Sequence, residues 1–219
     1  MRTLQKVLSW LVTILLPVAF TFLGVRLLLT HAFPEIEYRA PGFPADEYGF
    51  TLQDRLQWSR ISIDYLLNDA DISFLGDLTF SDGTPLFNGR ELSHMQDVKN
   101  VVQPALWVGY GVWFLMLGLG LWARFGGWWP EYVGGIRRGG WLTVGLVTVI
   151  GIFAAISFWQ FFTLFHELFF TGNSWQFLYS DTLIRLFPMR FWQDAFLFAG
   201  AMDVLGGLAL GLSLPPKRK

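Results

Sequence analysis

The chain has 219 residues, of which 53% are hydrophobic and 18% aromatic but only 15% charged, and its formal net charge is −1. A soluble domain of ordinary composition is excluded, and the chain belongs in a bilayer. The absence of cysteine excludes a thiol nucleophile, a disulfide framework and a lipidated cysteine on this chain.

About 20 mostly apolar residues are needed to cross the hydrocarbon layer as a helix. Four stretches qualify, at 7–29, 101–123, 141–165 and 195–214. The first follows Arg2 and Lys6, but its apolar run exceeds a signal-peptide core and no A-x-A site follows, so it is expected to stay as an anchor. Arg26 lies in the outer third of that span, where a charge is costly unless it snorkels or finds a partner.

Between the first and second spans, residues 32–100 are expected to form an extracytoplasmic cap. TLQDRLQWSRISIDYLL carries apolar residues at helical spacing behind Thr51, which predicts a helix over 52–67. DLTFSDGTPLF reads as a hairpin around Asp82-Gly83. NGRELSHMQDVKN pairs Asn88 with Glu91, a variant of the capping box that starts a helix running toward the second span. Pro104 is expected to kink that helix or to open a separate one.

The third span leads into FHELFFTGNSW, and Pro188 is expected to end an interfacial segment before the fourth span. Asp203, near the middle of the fourth span, is expected to face the bundle as a structural carboxylate or as a distant counter-ion of Arg26. No repeat, phosphate loop, G-x-S-x-G elbow or H-E-x-x-H pair occurs.

Arg2, Lys6, Arg124, Arg137, Arg138, Lys217, Arg218 and Lys219 fall in the two terminal segments and the middle loop. The positive-inside rule places these in the cytoplasm. His31, His94 and His166 then lie on the outer side. The expected architecture is an all-α membrane protein, a four-transmembrane-helix bundle forming a single integral domain with a mostly helical cap. Its expected place is the cell membrane, with both termini cytoplasmic and the site extracytoplasmic.

Two histidines carry the candidate chemistry. Asp97 follows His94 by one turn, a spacing that lets a carboxylate fix the imidazole tautomer and leave one nitrogen as a base; the same spacing also fits a solvated, salt-bridged helix face. His166 shares its helical face with Trp159, Phe162, Phe169 and Phe170, which fits either a site embedded in aromatic surface or an ordinary aromatic belt. Arg26, Arg55, Tyr65, Phe169, Phe170 and Trp175 are the candidate substrate contacts, with Arg26 or Arg55 facing a developing oxyanion. Both histidines fall near the level of lipid esters. Three readings follow: an acyl-ester catalyst, a zinc-dependent hydrolase using His94, Asp97, His166 and Glu167, or a non-catalytic lipid-binding protein.

RELSHMQDVK, followed by FHELFFTGNSWQFLYSDTLIRLFPMRFWQD, resembles the two signature blocks of the bacterial lipoprotein intramolecular transacylase family, and the likeness extends over most of the chain. The resemblance implies transfer of the sn-2 acyl chain of a diacylglyceryl lipoprotein to the α-amino group of the same N-terminal cysteine, giving the N-acyl lyso form. It implies that the two functional histidines are His94 and His166. The expected partners are a diacylated lipoprotein substrate and membrane lipids, with no nucleic acid, and neither a metal nor another cofactor is expected.

Overall fold

The computed structural model describes residues 2–213; Leu214, Lys217, Arg218 and Lys219, used above for the last span and for topology, lie outside the described residues. Among the described residues the chain is all-helical: α1 (Arg2–Leu28), α2 (Ala32–Glu37), α3 (Leu52–Leu67), α4 (Ser73–Gly76), α5 (Gly89–Phe125), α6 (Trp129–Ile156), α7 (Phe158–Phe169), α8 (Thr182–Leu186) and α9 (Met189–Ser213). Of these, α1, α5, α6 and α9 are long and apolar enough to cross a membrane. The 37 residues of α5 extend to about 55 Å at 1.5 Å per residue, well beyond the ~30 Å hydrocarbon thickness. With 101–123 as its spanning part, the N-terminal turns carrying Glu91 and His94 stand outside that layer.

The chain forms two compact units. One takes the described residues up to Arg26, Ala105–Ser157 and those from Leu197 onward. Its core is Val12, Leu16, Met116, Leu119, Ala123 and Trp128, while Phe114, Phe125, Ile156 and Leu205 stay exposed, as suits a surface meant for lipid. Lipid tails are as apolar as these side chains, so association relies on close approach between small residues. A Cβ on Gly140 would stand 2.5 Å from the Gly207 carbonyl oxygen, and one on Gly135 would stand 2.6 Å from that of Ser9. Arg137 Nε donates to the Gly211 carbonyl at 3.1 Å, and Arg138 Nη2 to Ser9 Oγ at 2.8 Å.

The other unit takes Leu27–Pro104 and Phe158–Phe196. Helix α3 begins at a capping box: Asp54 N donates to Thr51 Oγ1 at 3.2 Å, and Thr51 N donates to Asp54 Oδ2 at 2.8 Å. Its inner face joins Tyr65 and Leu66 to Leu75, Leu86, Phe87, Met95, Leu183 and Leu186 in one buried cluster. The start of α5 is tied down twice. Asn88 N donates to Glu91 Oε2 at 2.8 Å, while Glu91 N donates to Asn88 Oδ1 at 3.1 Å. The second carboxylate oxygen of Glu91, itself only 1% exposed, accepts from Leu183 N at 2.6 Å, so the same side chain holds the N-terminal end of α8.

Two local expectations meet a different outcome. Around Gly83, whose φ is +84°, Phe80 N donates to Thr84 O and Leu86 N to Leu78 O, but the pairing amounts to the isolated bridge Thr79–Pro85. Pro85 offers no N–H to extend a ladder. Pro104 lies inside a continuous α5, so of its two expected roles it does not open a separate helix. The apolar run 141–165 is two helices, because Ser157 is extended at φ −154°, ψ 94° between α6 and α7. The segment after α7 buries Thr182, Leu183 and Leu186 of α8, and Pro188 falls in the gap before α9, where the sequence puts the break.

Candidate active site

His94 lies in the second turn of α5 and His166 near the end of α7. Their rings face one another with centroids 6.1 Å apart and planes 24° apart, and each residue is 7% exposed. Phe170 packs on both, at 4.9 Å from His94 and 5.6 Å from His166. Phe177 adds an edge to His94 at 5.4 Å, and Phe162 and Trp175 stack near His166 at 4.1 and 5.0 Å. This is an aromatic enclosure with two imidazoles as its basic groups.

The surroundings fix the charge state of both. Burial, with a smaller contribution from the neighbouring His166, pushes His94 from 6.5 down to about 4. Burial lowers His166 as well, opposed by a hydrogen bond to the Phe162 carbonyl. That bond is 2.8 Å from His166 Nδ1. A carbonyl only accepts, so Nδ1 carries the hydrogen and neutral His166 presents its Nε2 lone pair. By contrast, Nδ1 of His94 and Nε1 of Trp175 are buried without a hydrogen-bond partner.

Of the residues expected at the site, the structure therefore gathers His94, His166, Phe170 and Trp175. Phe169 is 44% exposed and packs on Phe165. Asp97 does not pair with the unpartnered Nδ1 of His94: its Oδ2 accepts from Ser174 Oγ at 3.2 Å. An i, i+3 pair is offset by about 60° around the helix, enough for the carboxylate to pin the Ser174 loop instead. Asp97→Asn keeps an acceptor for that hydroxyl, so its turnover should fall by less than about tenfold, the worth of one ordinary hydrogen bond. A loss comparable to that of a histidine variant, at matched protein level, would restore Asp97 as an orienting group.

Arg55 and Tyr65 are structural in position. Arg55 donates to the carbonyls of Pro44 and Arg185 at 2.7 and 3.2 Å and lies over the rings of Phe43 and Tyr38. Tyr65 is fully buried, donates to Gln96 Oε1 at 2.9 Å and carries Lys99 over its ring at 4.1 Å. Arg26 belongs to the other unit, in the last turn of α1, where its charge complements the helix dipole. Asp203, in that same unit, accepts from Thr21 at 3.5 Å. Glu167 is exposed, and His31 pairs with Asp64 at 2.7 Å on the surface. No three His, Asp or Glu side chains among the described residues converge on a point that would hold a metal ion. Phe177 and Ser174 were not legible as site residues, because both lie in an irregular segment without periodicity.

Comparison with known proteins shows the family and the fold. A relative from Aquifex aeolicus (strain VF5), an uncharacterised protein, is 29% identical over 208 residues, covering 94% of this chain and 92% of its own. The structure of the membrane integral lipoprotein intramolecular transacylase Lit from Bacillus cereus shares the fold, with a TM-score of 0.67 at 17% identity over 96% of this chain and 94% of that one. A form of the Bacillus protein with one histidine replaced by arginine gives 0.53 at 20% identity, over 95% and 91%. The profile of the family described as lipoprotein intramolecular transacylase Lit matches residues 5–192. The chain is an integral membrane protein of the Lit transacylase family.

Proposed function

We propose that His94 and His166 catalyse movement of the sn-2 acyl chain of a diacylglyceryl lipoprotein to the α-amino group of the same N-terminal cysteine. The observation that carries this reading is the pair of dry, neutral imidazoles, one of which is locked by Phe162 with its Nε2 lone pair free. Family membership supplies the substrate class.

The atoms balance without an outside reagent. The neutral amine bonds to the ester carbonyl carbon, and the carbonyl π pair moves to oxygen. His166 Nε2 takes a proton from the new N–C nitrogen. Collapse of the intermediate re-forms the carbonyl and breaks the bond to the sn-2 oxygen, which leaves with its electron pair and receives the proton by way of the imidazole pair. Amine and ester belong to one bound molecule, so holding them together replaces a second binding event. Low water content matters equally, since water would compete for the ester. The Lys/Arg distribution supports a site on the extracytoplasmic side of the cell membrane.

Purified protein in phospholipid vesicles with a synthetic diacylglyceryl lipopeptide tests the proposal. The intact mass should stay constant while the N-terminus becomes unreactive to amine reagents and one fatty chain changes from an ester that mild base cleaves to an amide that it does not. Release of free fatty acid with a mass loss would instead identify a hydrolase.

The pH dependence should follow the substrate. Both histidines titrate below 6.5 and so remain competent bases as the pH falls through 7, whereas an α-amine has a pKa of ~7.7–8.0 and is increasingly protonated. The rate should therefore drop about tenfold per pH unit below ~7.5, and acylating-competent analogues with a less basic amine should shift that limb down with the amine. A limb near 6.5 that ignores the amine would assign it to a histidine with an ordinary pKa.

A further inference from the structure

Among the described residues, two of the buried side-chain atoms without a hydrogen-bond partner lie at the imidazole pair: Nδ1 of His94 itself and Nε1 of Trp175, which packs on His166. Buried donors are almost always paired, so an orphan donor beside the two imidazoles is free to take its partner from a bound substrate. The two orphans differ in chemistry. An imidazole nitrogen exchanges protons, while an indole N–H only donates. Trp175 lies with its ring centroid 5.0 Å from that of His166, tilted by 35°. Neither Arg55, committed to two carbonyls, nor any lysine near the two histidines supplies a positive charge there: Lys99 donates to Asn68 and Ala70.

We propose that the indole N–H of Trp175 is the oxyanion donor of the site, hydrogen-bonding the ester carbonyl oxygen as it gains charge. This rests on the transacylase reading of the same pocket. When the amine bonds to the carbonyl carbon, the π pair moves to an oxygen that has lost its double bond. A fixed donor in a low-dielectric enclosure stabilises that charge without reorganising at the moment of reaction. When the carbonyl re-forms, the hydrogen bond weakens and the indole returns to its unpaired state. No proton moves to or from Trp175, which leaves proton transfer to the histidines.

The test compares the full chain in vesicles as wild type, as Trp175→Phe, and with 3-benzothienylalanine at position 175, which keeps the bicyclic shape and replaces the N–H by sulfur. Both altered proteins should lose kcat by ~10²–10³-fold, the effect of removing one oxyanion donor. KM should stay within about threefold, because ground-state binding does not use the bond. The melting temperature and the pH profile should match those of the wild type. Should Trp175→Phe fold poorly, the benzothienyl protein decides. Retention of kcat within about tenfold in that protein, or a raised KM at unchanged kcat, overturns the assignment and leaves Trp175 as packing. His166→Ala serves as the control: conversion lost there but kept without the indole N–H overturns the donor alone. No conversion by the wild type overturns the transacylase reading and the donor with it.

Discussion

Replacing either His94 or His166 by alanine should reduce conversion of a diacylglyceryl lipopeptide by ~10²–10⁴-fold, the usual worth of a positioned acid–base group. The double replacement should be little worse than either single one. The rings face each other across 6.1 Å within one aromatic enclosure, and in the proposed relay a proton that leaves the amine and reaches the sn-2 oxygen passes through both. Removing one member stops the unit, and losses within a unit do not add. Substrate retention on the vesicles should be unaffected, and the variants should melt at or above the wild-type temperature under acidic conditions. The sign follows from burial. Both folded-state pKa values lie below 6.5, so the unfolded chain binds more protons and stability falls as the pH drops through 6.5 toward 4. Without a histidine, that part of the acid sensitivity is gone. Singles that each retain half the activity, with a double that multiplies the losses, would show two independent groups and break the proposed relay.

Glu91→Ala should be the most destabilising single change in the unit that holds the histidines. Its buried carboxylate accepts from Asn88 N at 2.8 Å and from Leu183 N at 2.6 Å, and both donors lose their acceptor together. Each hydrogen bond to a charged group is worth ~1.5–3 kcal/mol, so the loss of two should be about 3–6 kcal/mol. For a chain of this size that is a fall in melting temperature on the order of 10 °C. Activity should fall with it, because His94 stands one turn along α5 from the group that anchors the helix. Glu91→Gln keeps one carbonyl oxygen and turns an NH₂ toward the other donor, so about half the loss should remain. Melting of the alanine variant within a degree or two of wild type would mean that neither bond contributes to stability.

How much of this was legible depended on whether the decisive signal was local. The helix at 52–67 was readable to the residue, because Thr51 and Asp54 form a cap that needs only neighbours in sequence. The pairing of Asn88 with Glu91 was readable for the same reason, but the hold of Glu91 on Leu183 was not, since 92 residues separate them. The break at Ser157 left no trace, because Gly145 and Gly151 of that apolar run lie inside α6 and neither Gly nor Pro stands at the break itself. For Asp97, spacing alone misled: it fixes which face a side chain leaves from, while its partner, Ser174, sits on a distant irregular segment. Arg55 and Tyr65 have the chemistry of a binding site and the surroundings of a core, a distinction that only burial and partners reveal. His94 and His166 drew attention separately through their neighbours; that they face each other required either the resemblance of the two blocks or the coordinates.

The glycine contacts in the other unit carry a practical cost. What meets a new Cβ at position 140 is the carbonyl oxygen of Gly207, and at 135 that of Ser9. Main-chain atoms cannot swing to another rotamer, so even a methyl group there forces two helices apart rather than repacking one side chain. A thiol or spin label meant to report which side of the bilayer the middle loop occupies would, at Gly135, measure a damaged protein. The exposed Arg124 is the sound attachment point, with the exposed Ser81 as its counterpart in the other unit.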